Sequence, residues 1–176
     1  MSDFSALDSI VASYEDQLEA LMCLQHQRAR IDPRSRFFSL ADADLKDRLR
    51  QDRNELDLWA LLTLVAAFEA TLRRDMEERI QRRRHDAVRR LLQQLRDEQD
   101  GRVRFDDVLE TWEDCVSVRP SLRGEIKRIL KHRHWLAHGR YWSIKQGATP
   151  GPLDAHADLV DYLSALQKGI HDFPMQ

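Results

Sequence analysis

The sequence predicts an all-α protein, a helical bundle of four main helices with one or two short ones, and three observations carry that expectation. Apolar residues recur at helical spacing over most of the 176 residues, whereas strands would show alternation. Six glycines and five prolines are few; a sandwich or barrel turns every ~8–12 residues and needs more such punctuation. A composition that is 42% hydrophobic and 33% charged belongs to an ordinary globular chain with enough apolar surface to fold. The length suits one domain spanning 1–176.

The elements follow in order. Phe4, Leu7, Ile10, Val11, Tyr14, Leu18, Leu21 and Met22 form a stripe that predicts a first helix to about Arg28, with Ser2 or Asp3 as its cap. Pro33 ends it, and the stretch through Asn54 reads as a loop with a short helix near Ala43 to Arg50. A second helix starts near Glu55 and carries Trp59, Leu62, Val65, Ala66, Leu72, Met76 and Ile80 at helical spacing. It either continues to Leu95 or bends near Arg82 to His85. Asp100-Gly101 signals a turn, after which Val108, Leu109 and Trp112 mark a shorter helix from Phe105 to Val116. Pro120 suits a first helical position, Ser121 to His138 reads as the next helix, and Gly139 stops it. After a loop rich in Gly and Pro, Leu153 to Ile170 supplies the last helix.

The longest apolar stretch, Trp59 to Phe68, is broken by Thr63 and is far short of the ~20 residues a bilayer span needs, so no membrane partner is expected. The Met-Ser-Asp-Phe-Ser start has no basic lead or apolar core of a secretion signal, which makes the cytoplasm the expected location. Cys23 and Cys115 are far apart and read as small buried hydrophobes, with no disulfide framework between them.

The net charge of −2 conceals segregation. Residues 119–145 carry +7 and residues 71–96 carry +5, which leaves −14 on the rest of the chain. Focused basic charge attracts a polyanion to one face of a near-neutral molecule. Solvated helix faces, or an arginine bias of the genome, produce the same pattern.

The densest chemical signal is the run Lys131-His132-Arg133-His134-Trp135-Leu136-Ala137-His138-Gly139-Arg140-Tyr141-Trp142. His134 and His138 share a helix face, as two zinc ligands would, but the His-Glu-x-x-His order and a nearby third ligand are missing, so no metal or other cofactor is expected. Arg133 and His138 diverge by about 140° around one helix, so they converge more readily in a cleft shared with a second copy. At the carboxyl end of a helix the dipole favours a protonated His138, which suits a proton shuttle; the alternative is a histidine that merely caps carbonyls. A histidine that relays protons and an arginine that neutralises phosphoryl charge suffice to cleave a phosphodiester whose own 2′-hydroxyl attacks, and RNA has that hydroxyl. Glu69 falls on the apolar stripe of the second helix, where a lone carboxylate is costly, so it is expected to pair with and orient Arg133. Arg128, Lys131, Arg140 and Tyr141 are candidate RNA contacts; Tyr141 and Trp142 would stack on bases or pack the following loop.

At Arg133-His-Trp-Leu-Ala-His138 the chain resembles the HEPN family, whose signature is an arginine and a histidine separated by four to six residues near a helix end in an all-α domain. His134, a polar residue directly after the arginine, and the Leu-Ala-His-Gly context are similar as well, and so is Ala-Ala-Phe-Glu-Ala at 66–70. The resemblance spans roughly residues 55–170. It implies a homodimer and, in many members, metal-independent endoribonuclease activity that serves as a toxin or in defence against phage, with 2′,3′-cyclic phosphate and 5′-hydroxyl products. Arg133 and His138 would then be catalytic, with His134 orienting the phosphate or supporting the arginine. Other members are non-catalytic modules that bind RNA, nucleotide or a protein partner. An antitoxin or nucleotidyltransferase partner is also implied, but the tyrosine modified in one branch stands two residues after the motif histidine, where this chain has Arg140 and places Tyr141 one residue later.

Overall fold

The computed structural model describes residues 4–27, 30–82, 87–137 and 150–171, and these form six α-helices with no strand among the described residues. They are α1 (Ser5–His26), α2 (Asp42–Gln81), α3 (Ala87–Glu98), α4 (Phe105–Cys115), α5 (Pro120–Ala137) and α6 (Pro152–His171). Four are long and two short, and the chain is an all-α bundle. The spine is α2, which touches each of the other five helices.

The length of α2 corrects the expected loop through Asn54. The helix begins at Asp42 and runs 40 residues without interruption, ~60 Å at 1.5 Å per residue. No Gly or Pro interrupts it, and Arg48–Asp52 and Arg50–Asp47 pair along its exposed surface at 3.0 Å each. Leu45 and Leu49 on its first turns bury against Ile31, with Leu21, Leu24, Phe37 and Leu40 packed around them. That small cluster anchors the half of α2 that lies beyond the main core. At the other end α2 stops at Gln81 and α3 starts separately at Ala87, so the helix does not continue to Leu95.

The main core lies between the second half of α2 and the helices around it. Leu61, Leu64, Val65, Phe68 and Leu72 of α2 meet Val108 and Trp112 of α4, Ile126 and Ile129 of α5, and Leu159, Tyr162 and Leu163 of α6. Phe68 is the junction, edge-on to Phe105 of α4 at 5.9 Å and to Tyr162 of α6 at 5.8 Å. The Tyr162 hydroxyl donates to Glu113 Oε1 at 3.1 Å, and burial with that carboxylate pushes the phenol well above its ordinary range.

Three apolar residues of the expected stripes, Met22, Trp59 and Ala66, face outward, and so does Cys23. Trp59 is 65% exposed, Met22 is also exposed, and Cys23 is exposed where a buried thiol was expected; Cys115 is buried. Helical spacing defines a face but leaves its edges open, and residues at the edge of a stripe are the ones solvent takes. The α1 caps expected at Ser2 and Asp3 lie outside the described residues; Phe4 occupies the N-cap position.

Turn and packing glycines behave differently. Asp100 (φ 49°) and Gly101 (φ 77°) take left-handed conformations in the expected turn after α3, and the Gly101 N–H closes it on the Arg96 carbonyl at 2.9 Å. Gly169 of α6 serves a close approach instead: a Cβ there would stand 2.2 Å from Val116 Cγ1. Gly169→Ala is therefore expected to destabilise by about 1–3 kcal/mol through overpacking. Gly124→Ala, with open space around its would-be Cβ, should stabilise by roughly 0.5–1 kcal/mol through helix propensity. Urea denaturation of the two variants checks the opposite signs.

Tyr14 ties α1 to α2, its hydroxyl donating to Asp57 Oδ1 at 2.7 Å. Burial and that carboxylate push the phenol from 10.0 up to about 12. The fold thus favours the protonated phenol, so this contribution to stability is complete below pH 10 and is lost as pH rises through about 12. Tyr14→Phe should flatten that part of the alkaline stability profile, measured by thermal denaturation between pH 9 and 12.

Candidate functional site

Pro120 opens α5 as its first residue, where a missing N–H costs nothing, and the helix then runs through Ala137. Leu122, Ile126, Ile129 and His132 are buried on one side of it. The His132 ring donates through Nδ1 to the Arg128 carbonyl at 3.2 Å, which satisfies one polar atom of a buried imidazole inside its own helix. Leu130, Arg133 and His134 span about 100° around the last turns of the helix, with Leu130 between the other two.

That face forms one wall of a groove of about 440 Å³ whose lining is Glu69 and Arg73 from α2, Phe105 and Asp106 from α4, and Leu130, Lys131, Arg133 and His134 from α5. The Arg133 Nη2 donates to Glu69 Oε2 at 3.2 Å. The two charged groups expected to meet from different helices are therefore in contact. The other carboxylate oxygen, Oε1, is held by Arg73 through Nε at 3.0 Å and Nη2 at 2.9 Å. Arg73 in turn donates through Nη1 to the Val103 carbonyl at 2.9 Å, which binds α2 to the segment leading into α4. Glu69 is thus a shared acceptor, one oxygen for each arginine. Its side chain is 19% exposed, while that of Arg133 is 41% exposed. The carboxylate is sheltered and the guanidinium reaches solvent, so Arg133 is positioned from behind with part of its donor fork open to the groove.

Lys131 and His134 lie on the same groove. Arg128 does not. It pairs with Glu125 of its own helix and interacts electrostatically with Asp158 of α6, whose carboxyl is pushed up chiefly by burial and then by Glu125. Five residues before Arg133, it is on another side of α5, and it lies apart from the groove. His138, Arg140 and Tyr141, together with Trp142, lie outside the described residues, as does one half of the His134–His138 zinc alternative. Among the described residues no group of three or more His, Cys, Asp or Glu is arranged to hold a metal ion.

In the basic segment at 71–96, at least four of the nine arginines are engaged in ion pairs within the protein. Arg73 pairs with Glu69, Arg79 with Asp75, Arg82 with Glu78 and Arg96 with Glu77. Part of the arginine in that stretch is therefore structural, and the Lys and Arg side chains that line the groove are Arg73, Lys131 and Arg133.

Sequence reasoning missed Arg73, Phe105 and Asp106. Arg73 carried a usable signal, four residues after Glu69 on the same helix face; Phe105 and Asp106 reach the groove only through the tertiary packing of α4. No helix among the described residues is long and apolar enough to cross a membrane. No family model, curated protein or solved structure matches the chain.

Proposed function

We propose that the chain is a metal-independent endoribonuclease of the HEPN type, cleaving RNA by attack of the 2′-hydroxyl on the adjacent phosphorus. The observation that carries this reading is the Arg133 guanidinium, fixed by Glu69 at 3.2 Å and partly open to a groove that also holds Lys131 and His134. Such a site neutralises charge on the phosphoryl oxygens with a group already oriented before substrate arrives.

In the reaction a base removes the 2′-hydroxyl proton, the 2′-oxygen bonds to phosphorus, and the bond from phosphorus to the 5′-oxygen breaks as an acid protonates that oxygen. The products are a 2′,3′-cyclic phosphate and a 5′-hydroxyl. His138 is assigned the proton transfers, and His134 and Lys131 the phosphate contacts. A second copy supplies the second Arg133–His138 set. The exposed face of α2 offers a surface for it: Trp59, Thr63, Ala66 and Ala70 are all exposed and lie within about 60° of one another, beside Arg73. A toxin or phage-defence role, with an antitoxin held against the same basic groove, fits this chemistry.

The test is gel analysis of RNA incubated in excess chelator with wild type, Arg133→Ala and His138→Ala. Cleavage by wild type and its loss in both variants supports the reading. Equal cleavage by all three removes the assignment, and salt-sensitive RNA binding without cleavage selects the non-catalytic RNA-binding module instead.

A further inference from the structure

The groove is chemically polarised in a way that phosphate binding alone does not use. Its α5 wall carries Lys131, Arg133 and His134, while its α4 wall carries Phe105 and Asp106. A phosphate favours the first wall and is repelled from the second. The α4 wall pairs a half-buried aromatic ring, backed edge-on by Phe68 and with the Arg73 guanidinium 5.9 Å from its centroid, with an exposed carboxylate. A ring and a carboxylate next to a phosphate-favouring wall are the parts of a nucleobase site, and about 440 Å³ falls in the size range of small-molecule pockets.

Asp106 and Asp107 both stand in the first turn of α4. The neighbouring Asp107 already accepts from Arg104 at 2.8 and 3.0 Å and from Gln99 at 2.6 Å, and these partners hold its carboxyl below the usual carboxylate range. Asp106 instead lines the groove.

We propose that the α4 wall is a guanine subsite, in which Phe105 packs against the base and Asp106 accepts hydrogen bonds from its N1–H and exocyclic N2–H. A carboxylate has two acceptor oxygens side by side and no donor. Guanine is the base whose Watson–Crick edge offers two adjacent donors. Adenine and cytosine offer one amino donor beside a ring acceptor, which repels the second oxygen, and uracil offers one N–H between two carbonyls. The inference rests on the reading that the α5 wall takes the phosphate of a ribonucleotide, and it adds the base identity. The guanine belongs either to an RNA or to a free nucleotide.

The experiment titrates the full chain with 3′-GMP, 3′-AMP, 3′-CMP and 3′-UMP by calorimetry, for wild type and for Asp106→Asn, which keeps shape and removes the charge. Phe105→Leu, which keeps apolar packing, serves as a second variant. A parallel arm maps the ends produced from RNAs with a single G at varied positions. The expected result is 3′-GMP binding about tenfold or more tighter than the other three, with the preference abolished in Asp106→Asn and all nucleotides weakened in Phe105→Leu. Ends beside G assign the subsite to RNA, and GMP preference without G-dependent ends assigns it to a free guanine nucleotide; both support the subsite. Equal binding of all four, a preference that survives Asp106→Asn, or no binding at all overturns it. Intact RNA in chelator counts against the ribonuclease reading alone and leaves the titration standing.

Discussion

Arg133→Ala is expected to lower the rate of RNA cleavage by about 10²–10³, the usual effect of deleting one donor aimed at charge that develops in a transition state. Its thermal midpoint should stay within about 2 °C of wild type, because the change falls on a side chain that is partly exposed. The reason lies in how Glu69 is shared. Deleting Arg133 leaves the carboxylate still bound to Arg73 at 2.9 and 3.0 Å, so no sheltered charge is orphaned. Glu69→Gln acts differently: it keeps the shape but weakens the hold on both arginines, and a guanidinium that wanders by ~1 Å costs up to about 10²-fold in rate. A positioning role predicts that kcat falls with little change in KM, and that Glu69→Asp, with a carboxylate on a shorter arm, recovers part of the loss. Steady-state cleavage rates over a range of RNA concentrations, alongside thermal denaturation, measure these effects. Wild-type rates in Arg133→Ala would sink the reading.

The pairing of Glu69 with Arg133 was legible because it follows from a local conflict, a charge on an apolar stripe, whose resolution requires a cation from another core helix. The helix class was legible from apolar residues at helical spacing, and Val65, Leu72 and Met76 of the expected α2 stripe are in the core, but Leu61, Leu64 and Phe68, which the stripe left out, are buried beside them. What failed was the polar half of α2. Between Asp42 and Asn54 only Ala43, Leu45 and Leu49 are apolar, too few to show a period, and the segment is helical because it has good helix formers, side-chain ion pairs and a satellite cluster supplied by a distant loop. Trp59 shows the opposite failure, since periodicity placed it inward while the packing of α2 left it in water. The groove itself needs three helices at once. Arg133 and His134 mark the α5 wall in the sequence, but nothing local says that the first turn of α4 stands opposite.

Asp75→Ala is expected to cost about 3–5 kcal/mol, the cost of stripping one partner from a buried ion pair. In sequence the pair looks like any exposed Asp and Arg four residues apart on a helix, worth a few tenths of a kcal/mol. Burial changes the sign of the argument. Asp75 and Arg79 are 4% and 2% exposed in their side chains, the Arg79 Nε donates to Asp75 Oδ2 at 2.5 Å, and the guanidinium lies 4.8 Å from the centroid of the Trp112 ring. Without the carboxylate, Arg79 remains charged in a site it cannot leave without unpacking α4 from α2. For a chain of this size the loss corresponds to a fall of roughly 10 °C in the thermal midpoint, and against a total stability of about 5–15 kcal/mol it brings the variant near unfolding. Asp75→Asn, which keeps an acceptor oxygen, should lose less. The double variant Asp75→Leu with Arg79→Met should recover most of the loss or exceed wild type, because both desolvation penalties vanish together and the new side chains pack on Trp112. Urea denaturation of the four proteins forms a double-variant cycle. A small effect of Asp75→Ala, or a double variant less stable than the single one, would show that the pair is not a buried charge compensated mainly by its partner.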